Sequence, residues 1–135
     1  NVCIIGFKGN RMKVKAILKF YFMPEEAETR LNRLITKKAF SVNAARNAFD
    51  CAEEVAELVC KKSQLCALWG FLDMAAEVFG EGELGILKHY AFSPRSGGEE
   101  GRAERRLAVK FARRIRGGAE EHAEGLKVME ELCFL

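Results

Sequence analysis

Three closely spaced glutamates, Glu53, Glu54 and Glu57 in the run Glu-Glu-Val-Ala-Glu, are the residues of this chain best suited to chemistry. Magnesium takes hard oxygen ligands, and carboxylates on neighbouring helices can hold the ion while it polarises a phosphoryl oxygen or activates water. A fourth acid, Asp73, follows in the next apolar stretch. If the chain turns back near Lys62, Asp73 falls opposite Glu53 and Glu54, and the four make a candidate magnesium set. The same stretch also has a plainer reading. Arg46, Asp50, Glu53, Glu57 and Lys61 stand at helical neighbour spacing, which is an ion-pair ladder on a solvated face.

The Glu-Glu-Val-Ala-Glu run resembles the EExxE half of the signature of all-α nucleotide pyrophosphohydrolases of the MazG kind, where ExxD follows. That resemblance implies a Mg²⁺-dependent hydrolase in which Glu53, Glu54, Glu57 and Asp73 hold the metal against substrate phosphates. The chain departs from the pattern at one point. An ExxD ending at Asp73 needs an acid at position 70, where Gly70 stands.

A second constellation is cationic. Arg102, Arg105, Arg106, Lys110, Arg113, Arg114 and Arg116 fall within one half of a helical wheel, with Leu107, Phe111 and Ile115 on the other half. Guanidinium groups pair bidentately with phosphates, so this face is a candidate site for the RNA or DNA backbone or for an acidic protein partner. No aromatic residue interleaves with the arginines, so base stacking is not expected. A flexible Ser93–Gly98 loop just before the helix could mould to the same ligand. Against this stands an internal account: Glu120, Glu121, Glu124, Glu130 and Glu131 could return antiparallel and neutralise the arginines, or the face is simply solvated.

Other chemistry finds little support. Cys3, Cys51, Cys60, Cys66 and Cys133 form no CxxC pair and the two histidines lie far from them, which argues against zinc. The cysteines read instead as small buried side chains. His122 shares a stripe with Leu126, Met129 and Cys133 and reads as a packed histidine. His89 has no acid at helical ligand spacing. Neither ExxH pairs, nor GxSxG, nor a P-loop, nor a dinucleotide fingerprint occurs.

The elements that must position these residues follow from composition and periodicity. The chain's 135 residues, 49% apolar and 30% charged, are expected to form one globular domain. Its longest uncharged stretch, Ser63 to Leu72, is too short to span a membrane. A cytoplasmic protein is therefore expected. One Gln against 22 Lys plus Arg and 19 Asp plus Glu is a thermophile-like surface habit. Val2–Phe7, a Lys8–Arg11 turn and the alternation from Lys13 to Phe22 predict a β-hairpin or strand, although Val14, Ile17, Leu18 and Tyr21 also fit a helical stripe. The Lys8-Gly9 codons could form a ribosome-binding site ahead of the Met12 codon, which would make residues 1–11 an extension before the natural start.

From Pro24 onward the spacing is helical. Helices are expected from Pro24 through Lys38, from Val42 to Lys61 behind a Ser41 cap, from Ser63 to Gly80, from Glu83 to Phe92, from Glu99 to Arg116, and from Ala119 to Cys133. The second and third of these should form an antiparallel hairpin turning near Lys62 and burying Phe49, Val55, Trp69 and Leu72 together. The expected fold is mainly α, a bundle of about five helices around that hairpin with a small N-terminal β element. The leading functional expectation is a non-enzymatic helical subunit. It would self-associate, or bind a protein partner within a larger assembly that could contain nucleic acid, using the unpaired edge of the Lys13–Phe22 strand. The alternative is the magnesium-dependent pyrophosphohydrolase.

Overall fold

The computed structural model of the chain describes residues 4–40, 48–93 and 98–133. The expected Ser41 cap, the start of the Val42–Lys61 helix, Cys3, and most of the Ser93–Gly98 loop lie outside these residues. In chain order the elements are β1 (Ile4–Phe7), β2 (Asn10–Lys13), α1 (Val14–Phe22), α2 (Pro24–Ala39), α3 (Ala48–Ala76), α4 (Glu81–Phe92), α5 (Gly98–Arg116) and α6 (Ala123–Cys133). The protein is mainly α with a two-stranded antiparallel sheet at its N-terminal end, as the periodicities predict.

The hairpin is shorter and earlier than the sequence pattern implies. Lys8 and Gly9 both have positive φ, 45° and 79°, and they close a two-residue loop whose twist matches that of the paired strands. The register sets Ile5 against Met12 and Phe7 against Asn10, which puts Ile5, Phe7 and Met12 into the core. The predicted strand Lys13–Phe22 is overturned: residues from Val14 to Phe22 are α1. Both periods are present there. The helix wins because it buries Val14, Ile17 and Leu18 together, whereas a strand would turn Ile17 away from Val14 and Leu18.

The second correction concerns the turn near Lys62, which does not exist. α3 runs unbroken for 29 residues, about 43 Å at the usual rise. Nothing in Lys61-Lys62-Ser63-Gln64 breaks a helix, since it holds neither glycine nor proline. Packing holds the stretch straight. α2 lies antiparallel along one side, with Lys38 to Glu54 at 3.2 Å and Lys62 to Asn32 at 3.1 Å. Along another side runs α6, where Gly125 sits so close that a Cβ there would be 2.8 Å from the Gln64 carbonyl oxygen. Of the four residues expected to pack together, Leu72 is fully buried and Trp69 and Val55 partly so, but Phe49 is 70% exposed.

The remaining helices follow their signals. Pro24 opens α2 with Glu25 and Glu26 behind it, and Lys37 and Lys38 close it, each sign suited to its end of the helix dipole. Glu83 accepts a hydrogen bond from the Gly80 N–H (3.1 Å) at the start of α4. One core unites all layers through Ile5, Leu31, Leu68, Leu87, Phe111 and Met129. Among the described residues no helix is long and apolar enough to cross a membrane.

Candidate functional site: the outer faces of α3 and α5

On a straight α3, Asp73 is 20 residues beyond Glu53, about 30 Å along the axis. The four carboxylates expected to share a magnesium ion are therefore not brought together. Asp73 accepts a hydrogen bond from the Tyr21 hydroxyl (2.7 Å), and the Trp69 indole N–H donates to the Tyr21 carbonyl (3.0 Å). Burial, then the Asp73 hydrogen bond and charge, push the Tyr21 phenol up to about 12. Glu54 pairs with Lys38, while Glu53 and Glu57 line a solvent-open depression with Asp50. Among the described residues no group of three or more His, Cys, Asp or Glu side chains is placed to hold a metal.

The same helix carries an uncharged outer face. Phe49, Ala52, Ala56, Val59, Ser63 and Ala67 are exposed, and Gly70 and Met74 continue the line, Met74 being 67% exposed. At about 100° per residue these positions form one stripe from end to end of α3. The acids Asp50, Glu53 and Glu57 flank it on one side, Lys62 and Asp73 on the other. Much of this is the apolar spacing that predicted a buried helix-hairpin seam. The spacing is real, but no part of the described chain covers it. Beside the stripe a largely apolar groove of about 310 Å³ opens between α3 and the α1–α2 corner, lined by Phe20, Pro24, Leu65, Cys66 and Trp69 with Glu28 and Lys62.

The cationic helix forms as expected, with Ala108, Phe111, Ala112 and Ile115 buried and all seven basic side chains exposed. Two of the seven are tied to the fold. The Arg114 Nε–H donates to the Ala75 carbonyl (2.8 Å) at the C-terminal end of α3, and Lys110 lies over the Phe79 ring at 5.2 Å. Among the described residues no ion pair joins Arg102, Arg105, Arg106, Arg113 or Arg116 to an acid. The neutralising network that the last helix could have supplied is not formed among the described residues. Glu120 accepts from the Lys8 N–H (2.7 Å), Glu124 pairs with Lys8 (3.2 Å) and Lys127 (3.8 Å), and Glu131 meets Lys61 at 3.5 Å. The Lys8 hydrogen bond, with the charges of Lys127 and Lys8, holds the Glu124 carboxyl below its ordinary value.

One pairing was invisible in the sequence. Glu104 is 4% exposed and lies 2.6 Å from His89 Nδ1. Helical spacing within α4 could not supply that acid; it comes from α5, and only the antiparallel return of α4 on α5 levels the two residues. His122 stacks on Phe71 at 4.4 Å between ring centres and is a packed residue, as its stripe implied. Cys51 is buried as expected, whereas Cys60 and Cys66 are exposed free thiols on the margins of the α3 stripe. No protein-family model, no curated protein and no solved structure matches this chain, so its function is argued from these surfaces.

Proposed function

We propose that the protein is a non-enzymatic helical subunit that works by association, and that the outer face of α3 takes a second copy of the chain. The observation that carries this is an uncharged, largely apolar face exposed along a whole helix, the surface usually found covered. From Phe49 to Met74 it is about 38 Å long and roughly 12 Å wide, close to 450 Å² per copy. Two such faces and the adjoining apolar groove reach the ~1,000 Å² that a specific interface needs. An antiparallel pair centred on Ser63 sets Ala56 against Gly70, Val59 against Ala67 and Ala52 against Met74. Larger side chains then meet small ones, and the helix dipoles oppose favourably. Strand addition, the route expected from the sequence, loses its basis because Val14–Phe22 is helical. The hydrolase alternative loses its basis with the separation of Asp73 from the glutamates.

Sedimentation of the full chain across a concentration series tests this reading. Wild type is expected to dimerise, and Ala56→Glu to remain monomeric with unchanged helix content, since position 56 is exposed in the single chain. A wild type that stays monomeric at high concentration, or an Ala56→Glu protein that dimerises equally well, refutes it. Orientation is read separately: a short bis-maleimide should join a Cys60 peptide to a Cys66 peptide between copies, whereas Cys60-to-Cys60 linkage would show a parallel pair.

A further inference from the structure

We propose that the outer face of α5 binds the phosphate backbone of duplex nucleic acid without reading its sequence. Arg102, Arg105, Arg106, Arg113 and Arg116 stand on this face over about 21 Å of helix, exposed and without an acid partner among the described residues. The one acid inside the run, Glu104, could have interrupted the field. It is turned inward against His89 instead, so from Arg102 to Arg116 no acid stands on the outward face, and the two other acids of the helix, Glu99 and Glu100, precede that run. Of the five acids of the α6 region, Glu120, Glu124 and Glu131 are engaged with Lys8, Lys127 and Lys61, and among the described residues neither Glu121 nor Glu130 forms an ion pair with α5.

Such a face destabilises the free protein. Arg102 with Arg106, Arg106 with Lys110, and Arg113 with Arg116 are like charges at helical neighbour spacing, each pair unfavourable. A row of phosphates relieves that repulsion and accepts paired N–H bonds from each guanidinium, which a lysine ammonium could not offer in the same fork. The Arg114 bond to Ala75 and the seat of Lys110 on Phe79 anchor the helix so that its remaining arginines are displayed together. A duplex is favoured over a single strand because single-strand binding relies on aromatic platforms. The one aromatic residue of α5, Phe111, is fully buried.

Fluorescence anisotropy with labelled duplexes of two unrelated sequences tests the proposal, using the full chain. Both duplexes are expected to bind alike, with log affinity falling against log salt at a slope of about −4, as for four to five neutralised phosphates. Arg106→Glu with Arg113→Glu should weaken binding at least ~100-fold and flatten the slope by about 2. The matched reversal on α2, Arg33→Glu with Lys37→Glu, should change affinity less than ~3-fold by the same reasoning. If the α5 reversal loses helix content, Arg106→Gln with Arg113→Gln gives the same reading at smaller amplitude. Absent or salt-independent binding overturns the proposal. So does equal loss in the α2 control, a preference for single strands, or poly-glutamate bound as tightly as duplex. Ala56→Glu leaves the α5 face intact, so failure here and failure of the α3 pairing are separately visible.

Discussion

α3 and α5 are the two longest helices, and they leave opposite things to solvent. In α5 the apolar residues are just enough to fill its inner face, and the outer face is nearly all guanidinium. In α3 the apolar residues exceed what the single chain can cover: Leu65, Leu68, Leu72, Ala75 and Ala76 are buried, yet Phe49, Val59 and Met74 are not. A helix with a charged outer face can work alone in water. One with an apolar surplus spread around it is built for a crowded position. The difference lies in how many sides are already occupied, because α2 and α6 cover only part of the circumference of α3 and α6 does not extend along its first turns.

The contrast can be broken from the inside outward. The largest effects belong to the inner faces. Leu72→Ala and Phe111→Ala should each cost about 3–5 kcal/mol in denaturant unfolding, whereas the outer-face change Ala56→Glu should move monomer stability by less than ~0.5 kcal/mol. If Ala56→Glu proves as costly as Leu72→Ala, the outer face is covered within one chain and the comparison fails. Glycines sharpen the point at intermediate size. Gly125→Ala drives a Cβ to 2.8 Å from the Gln64 carbonyl oxygen and 3.1 Å from the Leu68 Cβ, so a loss of about 1–3 kcal/mol is expected. Gly70→Ala meets nothing within 4 Å and should stabilise the isolated chain by about 0.5–1 kcal/mol through helix propensity.

A further effect is confined to alkaline pH. The folded Tyr21 phenol is raised to about 12, above its ordinary 10.0. Its contribution is therefore complete below pH 10 and is lost as pH rises through the folded value, because the unfolded chain ionises first. Tyr21→Phe should flatten the fall in thermal midpoint between pH 10 and pH 12, and an unchanged alkaline limb would show that burial and Asp73 together do not hold the phenol neutral.

Much of the fold was legible residue by residue. The Pro24-Glu25-Glu26 opening, the Lys37-Lys38 close and the wheel of α5 carry local signals that the tertiary structure had no reason to override. The cationic face was equally legible, down to each exposed arginine, because wheel geometry needs only spacing. Two elements misled for the same physical cause. Residues from Val14 to Phe22 satisfy periods of two and of 3.6 at once, and only burial of Ile17 beside Val14 and Leu18 decides between them. Around Lys62 the apolar spacing continues on both sides of a polar patch, which reads as two helices or as one. Asp73 joined Glu53, Glu54 and Glu57 in the magnesium set only through the choice of two, so its place there went with the turn.

By itself the sequence determined the helical periodicities, a turn within Lys8–Arg11 and the charge on α5, since each depends on neighbours within a few positions. Tertiary structure alone decided that α3 runs unbroken past Lys62, that Glu104 turns in to meet His89, and that no described residue covers the apolar line from Phe49 to Met74. Spacing along a chain states that a face is apolar. What lies against that face depends on the paths of distant segments, and those are set by the packing of the whole core.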